Sequence, residues 1–156
     1  MFGGKSAPYI FNLFLGALHW IIQRHIPAAL RHYLDDFLLI FKPSIPIELA
    51  NDAIEWIEDL GKQLGLSFQP KKTIHPTMSL EFLGLELNSV AMEAHLPADK
   101  LDYLKEYLCD WQSRVHCTLK EIQGLVGFLQ FCTQVIPHGH TFIQGLINFS
   151  MTLISP

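Results

Sequence analysis

The stretch HYLDDFLLIF, residues 32–41, places two adjacent aspartates between two runs that are rich in β-forming residues. Burying two carboxylates without partners costs on the order of several kcal/mol. That cost is avoided if Asp35 and Asp36 lie at the turn of a tight hairpin, because the strands then fix the backbone while the carboxylates stay at the sheet edge. We therefore predict strands over residues 29–33 and 37–42.

The paired carboxylates have two interpretations. A rigidly presented pair suits Mg²⁺, which takes oxygen ligands and is commonly held by one or two carboxylates together with substrate phosphates. Two-metal phosphoryl transfer uses ions about 3.5 to 4 Å apart to clamp the attacking and the leaving oxygen. Alternatively, Asp35 and Asp36 are ordinary turn residues, since aspartate makes local hydrogen bonds in tight turns. For an isolated pair of aspartates the second interpretation is the simpler one.

The hydrophobic pattern up to residue 96 predicts helices packed on a sheet. Ser6 is a predicted N-cap with Pro8 in the first turn, and apolar residues then recur at helical spacing up to residue 22. A second amphipathic helix runs from residue 47 to Gly65. The segments LSF (66–68) and LEFLGLEL (80–87) are typical of strands. This order predicts an α+β fold in which helices cover one face of an antiparallel sheet.

From residue 96 onward the pattern is helical only. One apolar stripe is formed by Leu101, Leu104, Leu108 and Trp111. The sequence TLKE (118–121) is a capping box that starts a second helix, and a third helix is predicted over residues 140–153. We therefore divide the chain into a sheet-containing part, residues 1–96, and a small three-helix bundle, residues 97–156.

The composition of the chain restricts its expected cellular location and its expected binding partners. The net charge is −4 and no lysine or arginine follows Lys120, so no overall positive field draws the chain to nucleic acid. The three cysteines lack the spacing of a zinc site or a disulfide framework. The longest apolar stretch, residues 10–22, is too short to span a bilayer, and no signal peptide is evident. We expect a soluble intracellular protein, cytoplasmic or nuclear, without membrane contact.

Five segments, in order, resemble the reverse transcriptase family, and especially retroelements of the DIRS type and the LTR type. YLDD (33–36) is similar to the YxDD box, and FGGKSAPYIFNLFLGAL (2–18) resembles the preceding glycine-and-proline segment. LGLSFQPKKT (64–73) resembles the segment that runs from a glycine to a lysine. LEFLGLELN (80–88) resembles the primer-grip hairpin, and residues 96–146 follow the pattern of the thumb. Together these segments cover nearly the whole chain.

The resemblance implies a partial right-hand polymerase palm followed by an all-α thumb. It implies an RNA-directed DNA polymerase of a retrotransposon, a nucleotidyltransferase that uses Mg²⁺ or Mn²⁺, an RNA/DNA template–primer duplex and a deoxynucleoside triphosphate (dNTP). Asp35 would be a direct metal ligand, Asp36 its neighbour, and Tyr33 would lie beneath the primer end. Lys72 would lie near the leaving pyrophosphate, where a cation stabilises developing charge or donates a proton.

Two further sets of residues take roles from the same resemblance. The turn that approaches the template and the incoming nucleotide would be formed by Gly4, Ser6, Ala7 and Pro8. The grip on the primer backbone would be formed by Phe82, Leu83 and Gly84. The thumb helices would lie along the minor groove of the duplex, which proteins contact through shape and phosphate rather than sequence.

Each of these residues also has a simpler structural explanation. Lys71 and Lys72 are typical of loop residues that keep a surface soluble. Phe82 serves as a core aromatic in either case, and Gly84 marks a bulge. The sequence HGH (138–140) offers two histidines in a turn and no third ligand nearby, so we interpret it as structural.

The sequence also departs from a working polymerase. The family carries a further catalytic aspartate and its nucleotide-binding fingers upstream of the glycine segment, and we expect a chain that starts at Met1 to lack both and to be inactive alone. His140 and Gln144 stand where family members carry arginine, which weakens nucleic-acid binding. Whether this chain is an enzyme is therefore left open. A non-catalytic nucleic-acid-binding or protein-interaction module of the same fold is the alternative, and an unrelated α+β domain ranks below both. Missing strands would expose a sheet edge and favour self-association.

Overall fold

The computed structural model describes residues 6–66 and 68–153. The chain divides into two compact units, Met1–Thr77 and Met78–Pro156. These units are defined by contacts within the chain, and the division into palm and thumb at residue 96 stays a prediction. None of the helices in the described residues combines the length and the apolar character that a membrane crossing requires.

The first unit consists of two helices and a hairpin. Helix α1 spans Ala7–His25, strands β1 and β2 span Ala28–Tyr33 and Asp36–Phe41, and helix α2 spans Ile47–Gln63. The strands pair antiparallel, and Tyr33 lies opposite Asp36 at the turn. The predicted hairpin and both predicted helices are therefore confirmed.

The core of the first unit lies between α1, one face of the hairpin and α2. Its most deeply buried side chains are Leu18, Ile22 and Leu30, each 1% exposed. Gln23 of α1 reaches the outer edge of β1, where its Nε2 donates to the Ala28 carbonyl (3.0 Å) and its Oε1 accepts from the Leu30 amide (3.2 Å). These bonds satisfy backbone groups that an edge strand otherwise exposes, so α1 and the hairpin are joined by polar as well as apolar contacts.

Helix α2 ends in a Schellman motif. Gly65 has φ +71°, the Leu66 amide donates to the Gly61 carbonyl (2.8 Å), and the Gly65 amide donates to the Lys62 carbonyl (3.2 Å). The chain then reverses and Phe68 packs against the core of the first unit. Leu66 and Phe68 therefore lie outside any strand, and the prediction of a strand at LSF is wrong.

The second unit contains a three-stranded antiparallel sheet and three helices. Strands β3, β4 and β5 span Ser79–Phe82, Leu85–Asn88 and Glu93–His95, in that spatial order. Helices α3, α4 and α5 span Ala98–Ser113, Leu119–Cys132 and Gly139–Thr152. The hairpin and the three helices were predicted, whereas β5 was not. The α+β fold class is confirmed, with two small antiparallel sheets in place of one.

A small core joins the sheet and the helices of the second unit. Leu96, Leu104 and Cys132 are buried at its centre. The stripe predicted on α3 is narrower than its sequence suggests, because Leu101 is 40% and Leu108 37% exposed. Aromatic side chains extend the contact between α3 and α4, where the rings of Tyr103 and Phe128 meet edge to face with centroids 5.3 Å apart. The predicted capping box of α4 is present with both of its hydrogen bonds.

Candidate active site

The two aspartates lie at a two-residue turn between β1 and β2. Because Tyr33 pairs with Asp36, the turn consists of Leu34 and Asp35 alone, and Asp36 is the first residue of β2. Leu34 has φ +52°, a left-handed conformation that costs a residue with a Cβ about 1–2 kcal/mol. Hairpins with two-residue turns need such a residue to match the twist of their strands. The turn is thus held in a strained shape by the strands that flank it.

Side chains alternate between the two faces of this hairpin. Leu30 and His32 of β1 face α1, together with Phe37 of β2. Tyr33 and Asp36 face away from the helix and are cross-strand neighbours. Tyr33 is 59% exposed, and both aspartates are exposed. Within residues 6–66 and 68–153, neither carboxylate makes a hydrogen bond or an ion pair, and both side chains are open to solvent.

A histidine pair supports the turn from the side of α1. His19 of α1 and His32 of β1 approach with their Nδ1 atoms 2.7 Å apart, one donating and the other accepting. The His32 ring also stacks on Phe37, with centroids 5.5 Å apart. Burial, followed by the nearby His32 and Arg31, lowers the pKa of His19 below its usual value. The pair ties α1 to the strand that leads into the aspartate turn, and sequence patterns gave no signal for it.

The aspartate pair offers oxygen ligands but not a complete metal centre. In the described residues, no three histidine, cysteine, aspartate or glutamate side chains cluster closely enough to hold an ion. Asp35 and Asp36 are exposed and make no competing contacts, which fits the hard, water-retaining coordination that Mg²⁺ prefers. The donor set fits one or two carboxylate bonds to a cation that takes its remaining ligands from water or substrate.

The predicted glycine-and-proline turn lies at the start of α1. Ser6 occupies the N-cap position but makes no side-chain capping bond, and the helix begins at Ala7 with Pro8 in its first turn. Gly4 lies outside the described residues. Ser6 is exposed and Ala7 is half-buried, and both have small side chains.

Lys72 lies in the exposed loop that follows α2. Its backbone amide donates to the Gln69 carbonyl (2.9 Å), which forms a turn, and its side chain is exposed. Within the described residues, no ion pair joins Lys72 to Asp35 or Asp36 at a distance of 4.0 Å or less. The Lys72 ammonium group is thus not in direct contact with the carboxylates, and it forms no ion pair with any residue that the structure describes.

The second unit presents a different kind of turn at FLG. Phe82 pairs with Leu85, so Leu83 and Gly84 form a two-residue turn, and both have positive φ, +50° and +80°. Two consecutive positive φ angles are the signature of a type I′ hairpin. Phe82 is half-buried and Leu83 is 44% exposed at the tip. The bulge predicted as an alternative role for Gly84 is therefore absent, because Phe82 and Leu85 pair in register on either side of this turn.

Sequence reasoning missed the residue that holds the FLG turn. Lys100, in the first turn of α3, donates through Nζ to the Gly84 carbonyl (2.9 Å) and pairs with Glu81 Oε1 (2.6 Å). These contacts span 16 and 19 residues of sequence, which no local pattern reveals.

His140 and Gln144 are exposed on α5, as a surface role requires, and neither brings a fixed positive charge.

A groove of about 820 Å³ also occurs in the first unit. Its lining includes Ala28, Ile40 and Phe41, at the end of the hairpin opposite the aspartate turn. The lining is mostly apolar and wide open, and it contains neither Tyr33 nor the aspartates. This groove is therefore separate from the candidate site.

Comparison with known proteins gives one family and one related structure. Residues 1–87, more than half of the 156, match the family described as reverse transcriptase (RNA-dependent DNA polymerase). No curated protein matched the chain. Among solved structures, it is similar to a foamy viral protease–reverse transcriptase in complex with double-stranded DNA, with a TM-score of 0.68 and 19% identity.

The extent of that structural match limits what it shows. It covers 93% of this chain but 23% of the foamy viral chain, so this chain spans about a quarter of that protein's length. At this identity the likeness concerns the fold. The match extends across both units of the chain, whereas the family match ends within β4.

Proposed function

Because the chain belongs to the reverse transcriptase (RNA-dependent DNA polymerase) family, we propose that it supplies the carboxylate turn and the primer-holding elements of template-directed nucleotidyl transfer. The observation that carries this proposal is the turn itself. A two-residue hairpin presents Asp35 and Asp36 to solvent, without competing partners in the described residues, and places Tyr33 beside Asp36.

In this proposal Asp35 is a direct ligand of Mg²⁺ or Mn²⁺, and Asp36 is its neighbour. A divalent cation bound there would stabilise the charge that develops on the transferred phosphoryl group. The paired strands fix the backbone at the turn from which the Asp35 side chain projects, so that little backbone reorganisation is needed on binding. The metal requirement follows from the family, while the identity of the ion is part of the proposal.

The residues around the carboxylates position the substrates. Tyr33, exposed on the same face as Asp36, offers an aromatic surface to the primer end. Ser6, Ala7 and Pro8, at the start of α1, are proposed to approach the template and the incoming dNTP, and the same role is proposed for Gly4, which lies outside the described residues. The unpaired ammonium group of Lys72 is available to a leaving pyrophosphate, where it would offset negative charge or donate a proton.

The second unit would hold the duplex. Phe82, Leu83 and Gly84 are proposed to contact the primer backbone, and the helices from residue 97 onward form the thumb that follows a palm over residues 1–96. The related foamy viral structure is a complex with double-stranded DNA, which supports a nucleic-acid role for this fold. The resemblance of the five sequence segments is the basis for proposing an intracellular retroelement of the DIRS or LTR type as the source of the chain.

A complete reaction needs carboxylates beyond this turn. Two cations about 3.5 to 4 Å apart repel each other, and two adjacent aspartates compensate only part of their charge. We therefore propose that the intact polymerase contributes another aspartate, and that residues 1–156 alone do not extend a primer.

The test measures metal binding and extension in parallel. Free Mn²⁺ is titrated by electron paramagnetic resonance against the wild-type chain, Asp35→Asn and Glu55→Gln, in the presence of a recessed template–primer and dNTP. Glu55 lies exposed on α2 and provides the same loss of charge away from the turn. Asp35→Asn should weaken Mn²⁺ binding about tenfold or more, as removal of a metal-site group typically does, whereas Glu55→Gln should not.

Equal Mn²⁺ affinity in Asp35→Asn and the wild-type chain would contradict the assigned role of Asp35. Primer extension by the wild-type chain, abolished by Asp35→Asn, would support the carboxylate role and overturn the need for another aspartate.

A further inference from the structure

The FLG turn is a shape that its own sequence does not favour. Leu83 occupies the first position of a type I′ turn with φ +50°, although this position favours asparagine, aspartate or glycine. The two strands that flank the turn, β3 and β4, have four residues each. Short hairpins of this kind are marginal without packing from outside. The turn therefore depends on contacts with the rest of the second unit.

Lys100 provides such a contact, both to the turn itself and to the strand that precedes it. Its ammonium group bonds the Gly84 carbonyl (2.9 Å) within the turn and the Glu81 carboxylate (2.6 Å) on β3. The side chain of Lys100 is 31% exposed, so this contact is more shielded from water than the other lysine pairs. The donor is charged, and hydrogen bonds from charged donors are stronger than neutral ones.

The space around Gly84 shows how closely the turn is held. A Cβ atom at Gly84 would lie 2.9 Å from Lys100 Nζ and 3.2 Å from Phe131 Cζ of α4. Lys100 and Phe131 thus enclose the glycine from two helices. The Leu83 side chain at the tip, 44% exposed, remains outside this enclosure.

Among the lysines of the described residues, no other makes a comparable contact. Lys105 on α3 pairs with Asp102 three residues away and is 63% exposed, and Lys62 on α2 makes the same kind of pair with Asp59. Pairs of this type stay within one helix and contribute little. Lys105 is therefore a matched control for Lys100, because it lies on the same helix and carries the same charge.

We infer that Lys100 is a positioning residue that fixes the FLG turn against helices α3 and α4, so that the turn meets the primer strand in one orientation. The inference rests on the proposed primer-holding role of this hairpin. Lys100 acts through the Gly84 carbonyl and does not itself contact the primer.

The first measurement is hydrogen–deuterium exchange of the whole chain, resolved at residues 81–86. Lys100→Met should raise exchange at the turn about tenfold, as expected for loss of a charge-assisted hydrogen bond, while the amides of α4 and α5 keep their wild-type rates. Lys105→Met should leave the turn unchanged. Lys100→Arg, which keeps a charged donor, should restore part of the protection. Uniformly faster exchange over the second unit would show a merely structural role and overturn the inference.

The second measurement is the dissociation constant of a recessed template–primer duplex. Both methionine variants remove one positive charge, so a loss of phosphate attraction would weaken binding equally in the two. A positioning role predicts about tenfold weaker binding for Lys100→Met and less than about twofold for Lys105→Met. Equal weakening would overturn the inference and leave the proposed function standing. A wild-type chain that binds no duplex would count against the proposed function, while localised exchange in Lys100→Met would still support Lys100 as the residue that fixes the turn.

Discussion

Two helical glycines of the first unit should respond in opposite ways to the same substitution. Gly16 lies in α1, and a Cβ added there meets no atom within 4 Å. Gly61 lies in the last turn of α2, where an added Cβ would lie 2.5 and 2.7 Å from Phe68 Cε2 and Cδ2 and 3.3 Å from the Leu66 carbonyl oxygen. Real Cβ atoms do not approach other atoms that closely, so Gly61→Ala must displace the Phe68 ring.

The magnitudes follow from these contacts. Alanine in place of a helical glycine stabilises by about 0.5–1 kcal/mol, and Gly16→Ala should realise that gain because nothing opposes it. At Gly61 the same gain is offset by overpacking, which costs about 1–3 kcal/mol when side chains must shift. Phe68 is partly buried and packs against the core of the first unit, so displacing its ring costs packing contacts. Gly61→Ala should therefore destabilise by about 1 kcal/mol, so the two variants differ by about 2 kcal/mol.

The assay is urea unfolding read by tryptophan fluorescence. A Trp111→Phe background leaves Trp20 and Trp56, both in the first unit, as the only tryptophans, so that the signal reports this unit. Stabilities are compared by linear extrapolation. Adding Phe68→Ala should convert Gly61→Ala from destabilising to stabilising, because the conflicting ring is gone. If Gly61→Ala alone stabilises as much as Gly16→Ala, the close packing of Phe68 on α2 is refuted.

Three smaller predictions concern other contacts. Thr118→Ala removes the N-cap of α4 and should lower the free energy of unfolding of the second unit by about 1 kcal/mol. The change is read from Trp111 fluorescence in urea in a Trp20→Phe, Trp56→Phe background, and an unchanged midpoint would contradict a contribution from the capping box. Because folding lowers the pKa of His19, the unfolded chain binds a proton at His19 at a higher pH than the folded chain does. The melting temperature should therefore fall as the pH drops below about 6.5, and it should fall less in His19→Phe. Equal dependence of the melting temperature on pH in the two proteins would exclude His19 as the cause. We also propose that the apolar surface of α1 and the open edge of β2 cause self-association; Ile10 is 63% exposed, so Ile10→Glu should reduce the sedimentation-derived mass, and an unchanged mass would argue against this surface.

Much of the fold was predictable because its signals are local. The helices follow from the spacing of apolar residues, and the start of α4 follows from a threonine and a glutamate three residues apart, Thr118 and Glu121. The hairpin at the aspartates follows from the cost of burying two charges next to a core. Gly65 marked the end of α2, and it adopts the positive φ that a helix end of this kind requires.

The sequence-based predictions fail where contacts between residues far apart in the sequence determine the structure. Phe68 looked like part of a strand, but the Schellman motif turns the chain so that its ring packs over Gly61. Strand β5 has three exposed residues, which leaves no alternation to detect. No local pattern distinguishes Lys100, and its contact with Gly84 exists only once the hairpin has packed on α3. The histidine pair was invisible for the same reason. The roles assigned to the site residues came from resemblance, and they remain predictions for the experiments above.

The length of the aspartate turn has a consequence for how this segment can change over evolutionary time. Side chains alternate along β2, so if the turn kept its two residues, one residue inserted between Tyr33 and Asp36 would shift the pairing by one position. The side chains of Phe37 and Leu39 would then face solvent, and the side chain of Asp36 would face the apolar core beside α1. Substituting Leu34 changes only the local backbone energy of the turn. A shift in register, by contrast, would disrupt both the packing of the core and the exposure of the carboxylates. Evolution can therefore accept substitutions in this turn more readily than insertions or deletions.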